Sequence, residues 1–170
     1  MSDGRFPPTL GRLPLHRRND AIARLNRFGA EGRPFLFLVD YAAEQAVVEP
    51  LDALSPDELA YDFGGVTNVP SPGGATAVGH PRVGVAQPAA LTPHLPAFAD
   101  YARAFALVQG GLRRGDSFLA NLTQQVPIET PLTLADIFAR ARARYRLFVP
   151  ERWVCFSPEP FVRIADGHIR

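Results

Sequence analysis

Apolar and polar positions along the chain change period several times, and each change marks an element. Residues 1–18 are rich in Pro and Arg, carry no period and read as a disordered lead. In "RRNDAIARLNRFGAEGRP", Ala21, Ile22, Leu25 and Phe28 recur at helical spacing; Asn19 or Asp20 can cap that helix and Gly29 can end it. "FLFLVDY" is a continuous apolar run, expected to be a strand buried on both faces. "AVVEPL" offers a second strand after a short turn, so the two are expected to pair antiparallel. "SPDELAYDF" places Ser55 as a cap, Pro56 at the first helical position and Glu58 three residues after the cap, which predicts a helix start.

Between Pro70 and Pro96 the period disappears, and six prolines and a cluster of glycines mark a linker. "GGATAVGH" in that stretch lacks the Lys and the strand–helix context of a phosphate loop. Order returns with "AFADYARAFALVQGGLRRG". Phe98, Tyr101, Phe105 and Val108 share a helical face, Leu112 extends it, and Gly115 is placed to stop it. "SFLANLTQQVPI" reads as a strand. "TPLTLADIFARARARY" reads as a helix capped by Thr130 or Thr133, with Leu134, Ile137, Phe138 and Ala141 on its inner face. "RLFV", "RWVCFS" and "FVRIADGHIR" are strand-like, and Asp166-Gly167 is a two-residue hairpin turn.

The strands meet at tight turns more often than through crossover helices. The expected class is therefore α+β, with mainly antiparallel sheets and packed helices. The expected divisions are a lead over 1–18, an N-terminal α+β region over 19–69, a linker over 70–96 and a further domain beginning in 97–170.

Composition narrows the function classes. The chain has 170 residues, 46% hydrophobic and 21% charged, an ordinary globular balance. A net charge of +1 gives no strong field for nucleic acid or an anionic membrane. Residues 1–20 lack a secretory apolar region, and "FLFLV" is too short to cross a bilayer, so a cytoplasmic location is expected. The one cysteine, Cys155, cannot form an internal disulfide and is expected to be buried. All basic residues are arginine, so no lysine amine is present for catalysis. His16, His80, His94 and His168 show no metal-ligand spacing. The RGD and N-L-T triplets fall on a helix end and a strand and are read as chance. Arg140, Arg142, Arg144 and Arg146 are expected to wrap a solvated helix.

Glu159 stands between Pro158 and Pro160, where two apolar runs meet. Alone it reads as an exposed loop acid. Read together, "GDSFLANLTQQVPIET" and "FSPEPFVRI" resemble the chorismate-utilising enzyme family, nearest its aminodeoxychorismate synthase component I branch. The matching positions are Gly115, Asp116, Phe118, Asn121 and Leu122, then Ser157, Pro158, Glu159 and Phe161. "RPFLFLVDY" and "YDFGGVTN" resemble the N-terminal region of a short-form branch.

The resemblance implies an N-terminal part of a chorismate-binding fold and a role in 4-aminobenzoate and folate synthesis. Family enzymes replace the 4-hydroxyl of chorismate with an amino group. They use Mg²⁺ and ammonia from a glutamine amidotransferase subunit. Glu159 would be the general acid protonating the departing hydroxyl, a task that apolar surroundings favour by raising a carboxyl pKa. Asn121 and Ser157 would support the motif. A tryptophan pocket found in some members would draw on Asp40 and Tyr145. The family's P-[IM]-K-G-T segment would begin just after Arg170, and its Mg²⁺ ligands would follow later still. The chain is therefore expected to be an incomplete and inactive portion. The alternatives are an anthranilate, isochorismate or salicylate synthase, or a non-catalytic piece that binds a partner or ligand.

Overall fold

The computed structural model describes residues 6–7, 10–70, 91–156, 162–165 and 167–169. It divides into two compact units, residues 1–81 with 133–170, and residues 82–132.

In the first unit, β1 (His16–Arg17) leads directly into α1 (Arg18–Ala30). No side chain caps this helix; the Arg18 N–H instead donates to the Glu44 carbonyl at 3.0 Å. A neighbouring loop thus satisfies a helix-start donor that the sequence assigned to Asn19 or Asp20. Gly29 lies inside the helix, and the chain turns away at Gly32, whose φ is +61°.

β2 (Phe35–Val39) and β3 (Gln45–Pro50) pair antiparallel, Phe37 opposite Val48. The strand order is β1-β3-β2, so β2 is an edge strand. Its apolar run is not buried on both faces: Phe37 and Val39 are 53% and 48% exposed. α1 packs Ala21 and Phe28 against Ala46 and Val48 of β3, with Leu25 and Phe35 around them. The hydrophobicity of β2 is real, but its place in the sheet leaves one side open.

The predicted helix at Ser55 is one turn only. Asp57 N–H donates to Ser55 Oγ, and the Glu58 and Leu59 N–H groups donate to the Ser55 carbonyl. The chain then enters β4 (Ala60–Phe63). Leu59, Ala60 and Tyr61 are buried, and strand pairing there outweighs a local helix start. β5 (Val66–Thr67) follows through Gly64 and Gly65, with φ of +64° and +105°. Two consecutive positive φ values make the tight turn that fits the sheet's twist, which explains the glycine pair.

These strands join β8 (Tyr145–Val149) and β9 (Trp153–Phe156) in an antiparallel sheet ordered β5-β4-β8-β9. α3 (Leu134–Arg140) is capped by Thr133, which accepts from the Asp136 N–H while Asp136 accepts from the Thr133 N–H. It ends at Arg140, so Arg142 and Arg144 are not helical and Arg146 lies in β8. β10 (Ile164–Ala165) and β11 (His168–Ile169) form a hairpin with Ala165 opposite His168 and Gly167 at φ +74°.

Both sheets contribute to one core of Leu36, Val47, Leu59, Tyr61, Leu147 and Val149. Leu10 and Leu13 complete it, 0% and 5% exposed, and β1 pairs with β3. The expected disordered lead is therefore wrong from Leu10 onward. Apolar residues too sparse to show a period still fill the gap between two sheets.

In the second unit, β6 (Thr92–Pro93) pairs with β7 (Ile128–Glu129), and α2 spans Phe98–Arg114. Gly115 ends α2 in the left-handed conformation at φ +82°. The predicted strand over "SFLANLTQQVPI" is irregular chain except for Ile128. Its partner would have to come from a neighbouring sheet, and among the described residues only the short β6 pairs there.

Leu10→Ala is expected to lower the unfolding free energy by about 2–5 kcal/mol, the usual range for emptying a fully buried leucine site. Chemical denaturation checks this; a change near zero would return residues 10–13 to an unordered lead.

Candidate functional site

A closely bonded charged pair of the first unit lies on the β4–β8 ladder. Asp62 and Arg146 are cross-strand partners. Arg146 Nη2 donates to Asp62 Oδ2 at 2.5 Å, and its Nη1 donates to the Ala141 carbonyl at 3.0 Å. The Gly65 N–H donates to Asp62 Oδ1 at 3.1 Å. The guanidinium also lies over the Phe138 ring, 5.3 Å from its centroid. One arginine thus closes the end of α3, and one carboxylate holds the Gly64–Gly65 turn. The Arg146 hydrogen bond, then the Gly65 N–H, hold the Asp62 carboxyl below its usual range. The sequence hid this pair: Asp62 was assigned to a helix and Arg146 to a solvated arginine run. The alternation of Tyr61, Asp62, Phe63 and of Tyr145, Arg146, Leu147 is the signal that could have revealed it.

The residues singled out from sequence do not converge. Asp40 is 6% exposed and ends β2 in a turn. Its Oδ1 accepts from the Glu44 and Gln45 N–H groups at 2.8 and 3.3 Å, while Oδ2 is buried without a hydrogen bond among the described residues. It therefore shapes the β2–β3 turn, where Ala43 adopts φ +53°. Tyr145 lies in the other sheet, its ring 6.3 Å from Phe63 and under the Arg144 guanidinium. Asp40 and Tyr145 line neither of two hollows found in the first unit. Asn121 is exposed in irregular chain and makes one long contact, 3.4 Å, with Thr123. Ser157 and Glu159, and the glycine-rich stretch over 73–80, lie outside the described residues. Cys155 is exposed, not buried, because β9 is the edge of its sheet.

Chemistry-bearing groups are sparse among the described residues. No three of His, Cys, Asp and Glu there come together to hold a metal ion. One hollow of about 380 Å³ is lined mainly by Pro56, Leu134, Phe148 and Pro150, with Asp57 and Glu151 also on its wall; another of about 310 Å³ has an uncharged lining that includes Phe35, Phe37, Tyr61, Phe63 and Val66. No helix among the described residues is long and apolar enough to cross a membrane.

What the second unit offers is surface. α2 has no buried residue. Phe98, Tyr101, Phe105 and Leu112 follow one helical face and are all exposed, and the Tyr101 and Phe105 rings stack at 5.8 Å. Phe118 and Leu119, past the end of the helix, are exposed as well. This arrangement is suited to recognition by contact.

Two curated proteins are similar to the chain over 148 residues, 87% of its length. One is an uncharacterized PabA-like protein of Haemophilus influenzae, 34% identical; the other is an uncharacterized PabA-like protein of Pasteurella multocida, 35% identical. The chain spans 42% and 43% of those two relatives' own lengths. No protein-family model and no solved structure matches it.

These names correct the reading drawn from short motifs. PabA is the glutamine amidotransferase subunit, not the chorismate-binding component I. The relatives therefore overturn the assignment of this chain as an aminodeoxychorismate synthase component I that aminates chorismate. They also give no support to an amidotransferase as its partner. The motifs rest on a few residues, and Asn121 lies in irregular chain and not in the strand expected from the apolar pattern.

The Asp62–Arg146 pair has a pH signature. Asp62 has a lower pKa folded than its ordinary value of 3.8, so its contribution is present above that value and is lost as pH falls through the folded one. Asp62→Asn is expected to cost about 1–3 kcal/mol at neutral pH, by leaving Arg146 without its anion. The difference from the parent should be flat above about pH 5 and should shrink in more acidic solution. Denaturation at several pH values checks it; a gap that widens in acid would contradict the assigned role.

Proposed function

We propose that this chain is the contact-making part of a PabA-like protein and works in a complex with a component I partner, the chorismate-binding type of subunit. Two findings support the reading. The relatives carry the PabA-like name, which points to a role beside a component I protein. The observation that carries it in this chain is the exposed aromatic face of α2, with Phe98 79% and Phe105 42% exposed. Aromatic side chains dominate contact energies because each removes a large rigid apolar area from water.

Glutamine hydrolysis by the described residues alone is not part of the proposal. Its covalent chemistry needs an activated nucleophile such as a thiolate with an adjacent base. Cys155 is the only cysteine, and it is exposed, with no hydrogen bond to a ring nitrogen or carboxylate among the described residues.

The test is direct binding of the chain to the component I protein of the same organism, by calorimetry and co-purification. Phe105→Asp is expected to weaken binding by roughly 30-fold or more, the scale of losing one aromatic anchor, while circular dichroism stays unchanged. No measurable complex, or a complex indifferent to Phe105→Asp, would overturn the reading.

A further inference from the structure

We infer that the open edge of β2 pairs with the same strand of a second copy of this chain, giving a two-fold symmetric sheet centred on Phe37. The ladder fixes which groups face outward. Leu51 N–H donates to the Pro34 carbonyl and Asp40 N–H donates to the Gln45 carbonyl, both at 3.1 Å. In an antiparallel pair the bonded positions alternate. Residues 34, 36, 38 and 40 therefore bond toward β3, and Phe35, Phe37 and Val39 direct their N–H and C=O groups to the open side. Among the described residues no strand takes them up.

The open row is self-complementary. With Phe37 opposite Phe37 of the second copy, Phe35 falls opposite Val39, and every outward position meets an outward position. Such a register supplies about six backbone hydrogen bonds. The strand also lacks what protects edges from pairing. Phe35–Val39 contains no charge, no proline and no glycine, and no positive-φ residue bulges it. Charges begin only at its flanks, with opposite signs: Arg33 before it and Asp40 after it. Antiparallel pairing sets Arg33 of one copy across from Tyr41 of the other, a 94% exposed ring beside the acidic end. Like charges do not meet.

Apolar packing supports the same partner. The hollow of about 310 Å³ lies along this edge, lined by Leu36, Phe37, Leu51, Tyr61, Phe63 and Val66. Leu36 and Leu38 pack on the face that carries Tyr61 and Phe63. In the symmetric register Leu38 of the second copy stands opposite Leu36 and extends over that hollow. Contact limited to one short strand and one hollow falls below the roughly 1,200 Å² of stable dimers, so the association is a weak, concentration-dependent one.

Sedimentation of the 170-residue chain from low to high micromolar concentration is expected to show a monomer–dimer equilibrium. Phe37→Lys places two cations face to face at the axis and is expected to weaken it at least about tenfold. Phe105→Asp on α2 should leave it unchanged, which separates this edge from the α2 face. A second measurement does not depend on losing a contact. In a Cys155→Ser background, Phe37→Cys should cross-link on oxidation, since facing Cα atoms lie about 5.5 Å apart, within disulfide reach. Phe35→Cys should not, its copies being about 14 Å apart along the strand. A chain monomeric throughout, or equal cross-linking at both positions, would overturn the proposal.

Discussion

The pairing of β4 with β8 is the contact on which the first unit depends. It joins stretches of chain separated by 84 positions at Asp62 and Arg146. Closing so long a loop costs on the order of 4 kcal/mol in chain entropy, before any residue is ordered. The ladder from Ala60–Phe148 to Phe63–Tyr145 offsets this together with the core behind it. Within the ladder, Asp62 and Arg146 specify the register. A slip of one residue would place the two side chains on opposite faces of the sheet and leave a charge without its partner. Arg146 also satisfies a carbonyl at the end of α3, so helix placement and strand register rest on one side chain.

A second polar clamp works beside the first. The Asn68 amide donates to the Leu59 carbonyl at 2.7 Å, and its oxygen accepts from the Tyr61 N–H at 3.0 Å. It pairs backbone groups that have no strand neighbour on that side of β4. Buried polar groups must be satisfied somewhere, and here a side chain does what another strand would do. The Gly64–Gly65 turn and Asn68 belong together: the turn returns the chain so that the amide can reach across.

With the interior closed in this way, the apolar residues that remain outside acquire meaning. The edge of β2 and the face of α2 differ in kind. β2 offers backbone groups that no strand among the described residues pairs, with side chains above and below, a surface that another strand completes. α2 has satisfied its own backbone and offers only side chains, a surface that a groove or helix completes. The two proposed contacts therefore draw on separate physics.

Much of this was legible along the chain, and the limits are physical. α2 and its glycine stop followed from the spacing of Phe98, Tyr101 and Phe105, because helical period and left-handed capping are local properties. The Thr133 cap and the Gly167 hairpin were local in the same sense. The sequence by itself thus determined where the chain can coil, turn and hide apolar side chains. Only the tertiary structure decided that Leu10 and Leu13 enter the core, that the run from Ser55 becomes a strand, that β2 is an edge and that Arg146 leaves the arginine run to hold Asp62. Each depends on a partner far away in sequence, and a local period can mark a strand or an apolar face without naming the distant segment it pairs with.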